Sequence, residues 1–114
     1  MLPKKYRLTK NEDFSKIYSK GFYGAYDGIA IKYIKTESLS TLIGFPVGKN
    51  FSKKAVERNR MRRILRAACS SYLNILKPGF NIVIMPQKGC GSISLEKAKD
   101  TLKKIFKKAN LTID

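Results

Sequence analysis

The chain has 114 residues, enough for one domain around one core. Lys and Arg number 24 against 8 Asp and Glu, a formal charge of +16, while 43% of the residues are hydrophobic. That balance excludes a disordered basic tail and calls for a polyanionic partner, nucleic acid ahead of an anionic membrane surface.

No apolar run approaches the ~18 residues of a spanning helix, and no signal-peptide pattern opens the chain, so it reads as soluble and cytoplasmic with no membrane partner. Histidine is absent, which removes the commonest general base and zinc ligand. Cys69 and Cys90 lie 21 residues apart without a CxxC. They read as two unpaired small hydrophobes, neither a metal site nor a disulfide.

In chain order, "MLPKKYRL" (1–8) is basic and reads as extended. Thr9 and Glu12 have the spacing of a capping box at the start of a helix. Phe14, Ile17 and Tyr18 follow at helical spacing, and Gly21 stops the helix. A short strand fits residues 22–26, and β-rich segments follow at 28–35 and 41–47, with "TESLS" as a turn between them. Pro46 cannot donate to a ladder and marks an edge, a bulge or a strand end. After the loop "GKNFS" (48–52), Ser52 is the expected N-cap of a helix running to about Leu76. "KPGF" (77–80) stops it. "FNIVIMP" (80–86) is nearly all apolar, as a strand covered on both faces would be. A Gly-rich turn leads to a last helix capped by Ser94, with Leu95, Ala98, Leu102, Ile105, Phe106 and Ala109 on one face. Lys97, Lys99, Lys103, Lys104, Lys107 and Lys108 cover much of the rest. The order α-β-β-α-β-α, with the extra strand, indicates an α+β domain over residues 1–114.

The densest feature is "KKAVERNRMRRILRAA" (53–68). On a wheel at about 100° per residue, Met61, Leu65, Ala68, Tyr72 and Ile75 fall within roughly 80° and form a core stripe. Arg58, Arg62, Arg66, Asn59, Arg63 and Arg60 occupy the sector facing away. A solvated face normally alternates signs, yet between Glu37 and Glu96 the one acid is Glu57. Other helices use lysine almost exclusively; arginine offers the planar fork that grips phosphate through two bonds. The sector reads as a nucleic-acid surface.

"ERNRMRRILR" (57–66) resembles the RNR signature of the bacterial ribonuclease P protein family. "LTKNEDFSKIY" (8–18), "IGFPVGKNFSKKAVERNR" (43–60) and "FNIVIMPQKG" (80–89) resemble that family's first helix, its strand with loop and basic helix, and its last strand. The resemblance covers most of the chain in order. It implies a sandwich of helices on a mixed sheet of about four strands, with a left-handed βαβ crossover. It implies the protein subunit of a ribonucleoprotein endoribonuclease that matures tRNA 5′ ends. On it, Arg58, Asn59, Arg60, Arg62, Arg63 and Arg66, with Lys49, Lys53 and Lys54, contact the catalytic RNA subunit. Phe14, Tyr18, Tyr33 and Lys32 line a cleft for the single-stranded 5′ leader of precursor tRNA. Without the resemblance, Phe14 and Tyr18 serve equally well as core. Pro46, Gly48 and Asn50 depart from the family's usual loop residues.

The scattered acids offer no cluster for metals, so a catalytic site and a metal site are not expected on the protein. The resemblance implies that Mg²⁺ is held mainly by the RNA, which does the chemistry. No obligate protein partner is evident. A ribosomal-type protein that stabilises folded rRNA explains the charge equally well but not an aromatic surface among lysines. A helix-turn-helix DNA reader lacks its preceding short helix, and a free-standing nuclease lacks His and clustered acids.

Self-repulsion at +16 makes bound anions stabilising. Sulfate or phosphate is expected to raise the melting temperature well above the effect of chloride at matched ionic strength. Equal effects would rule out discrete anion sites.

Overall fold

A computed structural model of the chain describes residues 3–113; Met1 and Leu2 of the basic opening segment, and Asp114, lie outside the described residues. The helices and strands are α1 Asn11–Lys20, β1 Phe22–Tyr26, β2 Ile29–Lys35, β3 Leu42–Gly44, α2 Ala55–Ser70, β4 Phe80–Pro86 and α3 Leu95–Lys108. A single 3-10 turn, Lys4–Tyr6, precedes α1, and Arg7 then bridges to Ile43.

The apolar run of β4 forms the inside of the sheet. The strand order is β1-β2-β4-β3. β4 runs antiparallel to β2 and parallel to β3, so α2 lies within a strand–helix–strand unit that joins two parallel neighbours. Side chains alternate across the sheet. Ile82 and Ile84 of β4, Ile29 and Ile31 of β2 and Ile43 of β3 point into one core with Met61, Leu65, Leu102 and Phe106. Val83 points the other way, into a smaller core with Leu8 and Ile17. Helices α2 and α3 therefore cover one face and α1 the other. The α+β class and mixed sheet expected from the sequence are both present.

The β1–β2 hairpin turns on Asp27 and Gly28, with φ of 48° and 91°. Positive φ at both central residues is the two-residue turn whose twist matches the strands, and Asp-Gly is a preferred pair for it. This turn sets the register: Tyr26 pairs with Ile29, Tyr23 with Lys32, and Phe22 with Tyr33.

Several helix ends differ from expectation. Lys10, not Thr9, is the N-cap of α1, and no side chain caps it; the Thr9–Glu12 capping box does not form. Helix α2 starts at Ala55, with Lys54 as N-cap. Ser52 works one turn earlier, accepting a bond from Lys54 N–H at 3.1 Å and donating to Glu57 Oε1. The helix ends at Ser70 rather than near Leu76. Ser70, Ser71 and Asn74 favour turns over helix interiors. Beyond them the chain pairs with the C-terminal segment: Lys77 N–H donates to Leu111 O and Ile113 N–H to Ile75 O, both at 2.7 Å. Tyr72 stays in the core layer, its hydroxyl donating to Lys99 O at 2.8 Å and its ring edge-on to Phe106. Ser94 caps α3 as expected, accepting from Lys97 N–H at 3.1 Å. Leu95 is exposed although it belongs to the apolar pattern; Ala98, Leu102, Ile105 and Phe106 are buried. β3 stops before Pro46, consistent with a strand end.

Both cysteines are unpaired. Cys69 is on the buried face of α2, and burial pushes its thiol up to about 12. It packs as a small hydrophobe and carries no thiolate at neutral pH.

One close approach fixes α1. A Cβ on Gly44 would lie 2.7 Å from Phe14 Cζ and 2.8 Å from its Cε1. Phe14 therefore sits directly on the backbone of β3. Gly44→Ala is expected to lift the ring and loosen α1, at about 1–3 kcal/mol of stability, the usual cost of overpacking. Denaturant melting measures it; an unchanged midpoint would mean that Phe14 is not seated there.

Candidate nucleic-acid interface

The basic face of α2 divides into two kinds of arginine. Arg60, Arg63 and Arg66 are exposed, as are Asn59, Lys49, Lys53 and Lys54. Arg58 and Arg62 are half-buried. Arg58 Nη1 donates to Ser52 O at 3.0 Å. Arg62 Nη1 donates to Asn59 Oδ1 at 2.7 Å, and its Nη2 to Val47 O at 2.8 Å. These two guanidiniums tie the 47–52 loop to the helix and hold the exposed cations in place. Arg62 was expected to point wholly away from the core. The loop folds back along the first turns of α2, so a residue on the wheel's outer sector meets backbone instead of water.

Charge compensation here is slight. Among the described residues the ion pairs are Lys97–Asp27 at 3.4 Å and Lys104–Asp100 at 3.1 Å. Both are exposed and neither involves α2. Lys53 and Lys54 also sit at the positive end of the α2 dipole, where cations are unfavourable and anions favourable. Glu57, the acid of the first turn, is engaged by Ser52. A polyanion would relieve this crowding. The departures at Gly48 and Asn50 fall in an exposed turn closed by Phe51 N–H to Gly48 O at 3.1 Å, where a Cβ on Gly48 would meet open space.

The second expected group does not assemble whole. Phe14 and Tyr18 lie along α1 with ring centroids 6.3 Å apart. Tyr18 is 45% exposed, and burial of the remainder pushes its phenol above the ordinary value. Lys32 Nζ donates to Tyr18 O at 3.1 Å, placing Lys32 on the α1 face. Tyr33, the next residue, is on the opposite face: it pairs with Ile82, and its ring lies 5.8 Å from Phe22 and 6.3 Å from Phe80. A shift of one residue in a strand moves a side chain through the sheet. Tyr33 therefore does not share a cleft with Phe14, Tyr18 and Lys32.

Tyr23 is an aromatic residue on the α1 face that the sequence reading did not single out. It is the cross-strand partner of Lys32, is 58% exposed, and its hydroxyl accepts from Gln87 Nε2 at 3.2 Å. Counting back from the Asp27-Gly28 turn pairs Tyr23 with Lys32, so the sequence carried a signal for it.

The family model described as Ribonuclease P matches residues 2–110. The chain belongs to the ribonuclease P protein family. It is 38% identical over 113 residues to the ribonuclease P protein component of Pseudanabaena sp., covering 97% of each chain. It is 32% identical to that of Bacillus velezensis, over 96% of this chain and 94% of the relative. The fold matches the RNase P protein of Staphylococcus aureus with a TM-score of 0.82 at 24% identity, over 95% and 98% of the two chains. It matches that of Thermotoga maritima with a TM-score of 0.79 at 23% identity, over 90% and 96%. The chain is thus of the kind that works with the RNA subunit of ribonuclease P, in a ribonucleoprotein endoribonuclease that processes tRNA 5′ ends.

The two classes of arginine have separable effects. Arg62→Ala is expected to cost about 1–2 kcal/mol of stability, because it frees Val47 O and Asn59 Oδ1 from a charged donor. Arg63→Ala is expected to leave the melting midpoint unchanged. It should flatten the dependence of log affinity for the ribonuclease P RNA on log salt by about one unit or less, the signature of one lost phosphate contact. The reverse pattern would show that Arg62 is the recognition residue and Arg63 the structural one.

Proposed function

We propose that this chain acts as one RNA-binding domain, residues 1–114, which grips the ribonuclease P RNA through α2 and its preceding loop and holds the precursor tRNA leader along α1. The observation that carries the proposal is the arrangement of two unlike surfaces on opposite layers of one sheet. The exposed Arg60, Arg63, Arg66, Lys49, Lys53 and Lys54 suit the phosphates of a folded RNA, with Arg58, Asn59 and Arg62 shaping that surface. The strip of Phe14, Tyr18, Tyr23 and Lys32 suits a single strand: rings for bases and a cation for backbone. Stacking tolerates most bases, as a leader that varies between tRNAs requires.

Phosphodiester hydrolysis calls for clustered acids or a bound metal ion. Among the described residues no three His, Cys, Asp or Glu side chains lie close enough to share a metal ion. The donor set does not suit a resident Mg²⁺, which takes oxygen ligands in near-ideal octahedral geometry. On this reading the ion and the chemistry belong to the RNA, and the chain has no catalytic site of its own. Its contribution is to neutralise phosphate charge where leader and RNA subunit approach, and to hold the leader in one path. Among the described residues no helix is long and apolar enough to cross a membrane, which is compatible with work beside RNA in the cytoplasm.

The test is reconstitution at low Mg²⁺ with precursor tRNA and the protein alone, a bacterial ribonuclease P RNA alone, or both. Only the pair is expected to cleave efficiently; cleavage by the protein alone would overturn the absence of a catalytic site. Tyr18→Ala in the assembled enzyme is expected to weaken precursor binding by about 1–3 kcal/mol, the worth of one stacked base, and to leave mature tRNA binding unchanged. An equal loss for both tRNAs would make Tyr18 a packing residue and remove the leader assignment.

A further inference from the structure

The face of the sheet opposite α1 carries an aromatic surface that neither function above uses. Phe22 is 67% exposed at the start of the edge strand β1. Its ring packs 5.8 Å from that of Tyr33. Tyr26 lies on the same side two positions beyond Gly24, with Lys104 Nζ 5.3 Å from its ring centroid. Gly24 has no side chain, so a gap stays open between the two exposed rings. Beside them is a groove of about 420 Å³ lined by Tyr23, Gly24 and Ala25 of β1, by Tyr33, and by Ile105, Lys108 and Ala109 at the end of α3.

The charge around the groove points to its occupant. From residue 101 to its end, α3 carries Lys103, Lys104, Lys107 and Lys108 and no acid. Lys108 lines the groove and is exposed, and Lys104, partly neutralised by Asp100, reaches over Tyr26. Open aromatic rings beside two ammonium groups are the two parts of a single-strand binding surface: bases stack and phosphates meet cations. A second copy of the chain would bring another +16 to this edge and be repelled.

We infer that the β1–α3 groove, with the exposed ring of Phe22 beside Tyr33 at its edge, binds a single-stranded segment of the ribonuclease P RNA. This rests on the functional reading above. The RNA subunit is favoured over the leader by position: the groove shares its layer with α2, and the leader strip lies on the other side of the sheet. The protein thus holds its RNA at two points of one layer, arginines at one end and stacking rings at the other.

The experiment measures, with the full chain, affinity for a bacterial ribonuclease P RNA and then affinity of each reconstituted enzyme for precursor and mature tRNA. Phe22→Ala is expected to weaken protein–RNA assembly about tenfold, within the range lost with one stacked base. Phe22→Tyr is expected to restore it, since any ring of that size stacks. Once assembled at saturating protein, the Phe22→Ala enzyme is expected to bind both tRNAs like the parent. Unchanged assembly would overturn the inference, as would a loss confined to precursor tRNA, which would move the groove to the leader. A fall in sedimentation mass of the free protein on Phe22→Ala would also overturn it, by making this edge an interface between copies. Failure of the parent protein to bind the RNA at all would strike instead at the functional reading. Because Phe22 is largely exposed, its melting midpoint should stay within about 0.5 kcal/mol of the parent, and a larger drop would show it to be a packing residue.

Discussion

Ile82 and Ile84 leave β4 on one side and Val83 on the other, and all three are essentially inaccessible to water. A strand buried on both faces must lie inside the sheet with helices above and below. β2 and β3 flank it because each offers the same alternation of apolar residues, and β1 follows β2 through a two-residue turn. The larger apolar side receives α2 and α3, and the smaller side receives α1. The existence of two separate helix layers follows from that single double-sided strand.

Charge acts on this frame as a burden that binding removes. Two exposed ion pairs among the described residues do little against +16, since such pairs contribute about 0–1 kcal/mol each. The chain tolerates its excess by keeping most of its cations on exposed helix faces and loops. Arg58 and Arg62 are the exceptions. Their guanidiniums turn inward to loop carbonyls, and the charge that could have met phosphate instead orders the loop that carries Lys49 and leads into Lys53 and Lys54.

The aromatic residues sort by the same geometry. Phe14 is half-buried with one side seated on Gly44, while Tyr18 and Tyr23 are more exposed. Tyr33 links Phe22 to Phe80 across three strands and supports the far surface. A ring's usefulness for stacking depends on which side of the sheet it leaves and on what already covers it. Neither property follows from residue type.

The sequence alone determined the class of fold, the identity and limits of β4, the cap of α3, the core stripe of α2 and the need for a polyanion. Each is a local property: an apolar run, a Ser at an N-terminus, a period near 3.6, a count of charges. Tertiary structure decided the rest. Thr9 gave way to Lys10 because the turn before α1 is set by the Arg7–Ile43 bridge as well as by capping chemistry. Helix α2 stopped at Ser70 because residues 75–77 found hydrogen-bonding partners near the C-terminus, more than 30 residues away. Arg62 left the solvent because a loop folded over its position. Tyr33 was parted from Lys32 because the pairing of β2 with β4 fixed which residue faces which helix layer, and neighbours in a strand point in opposite directions.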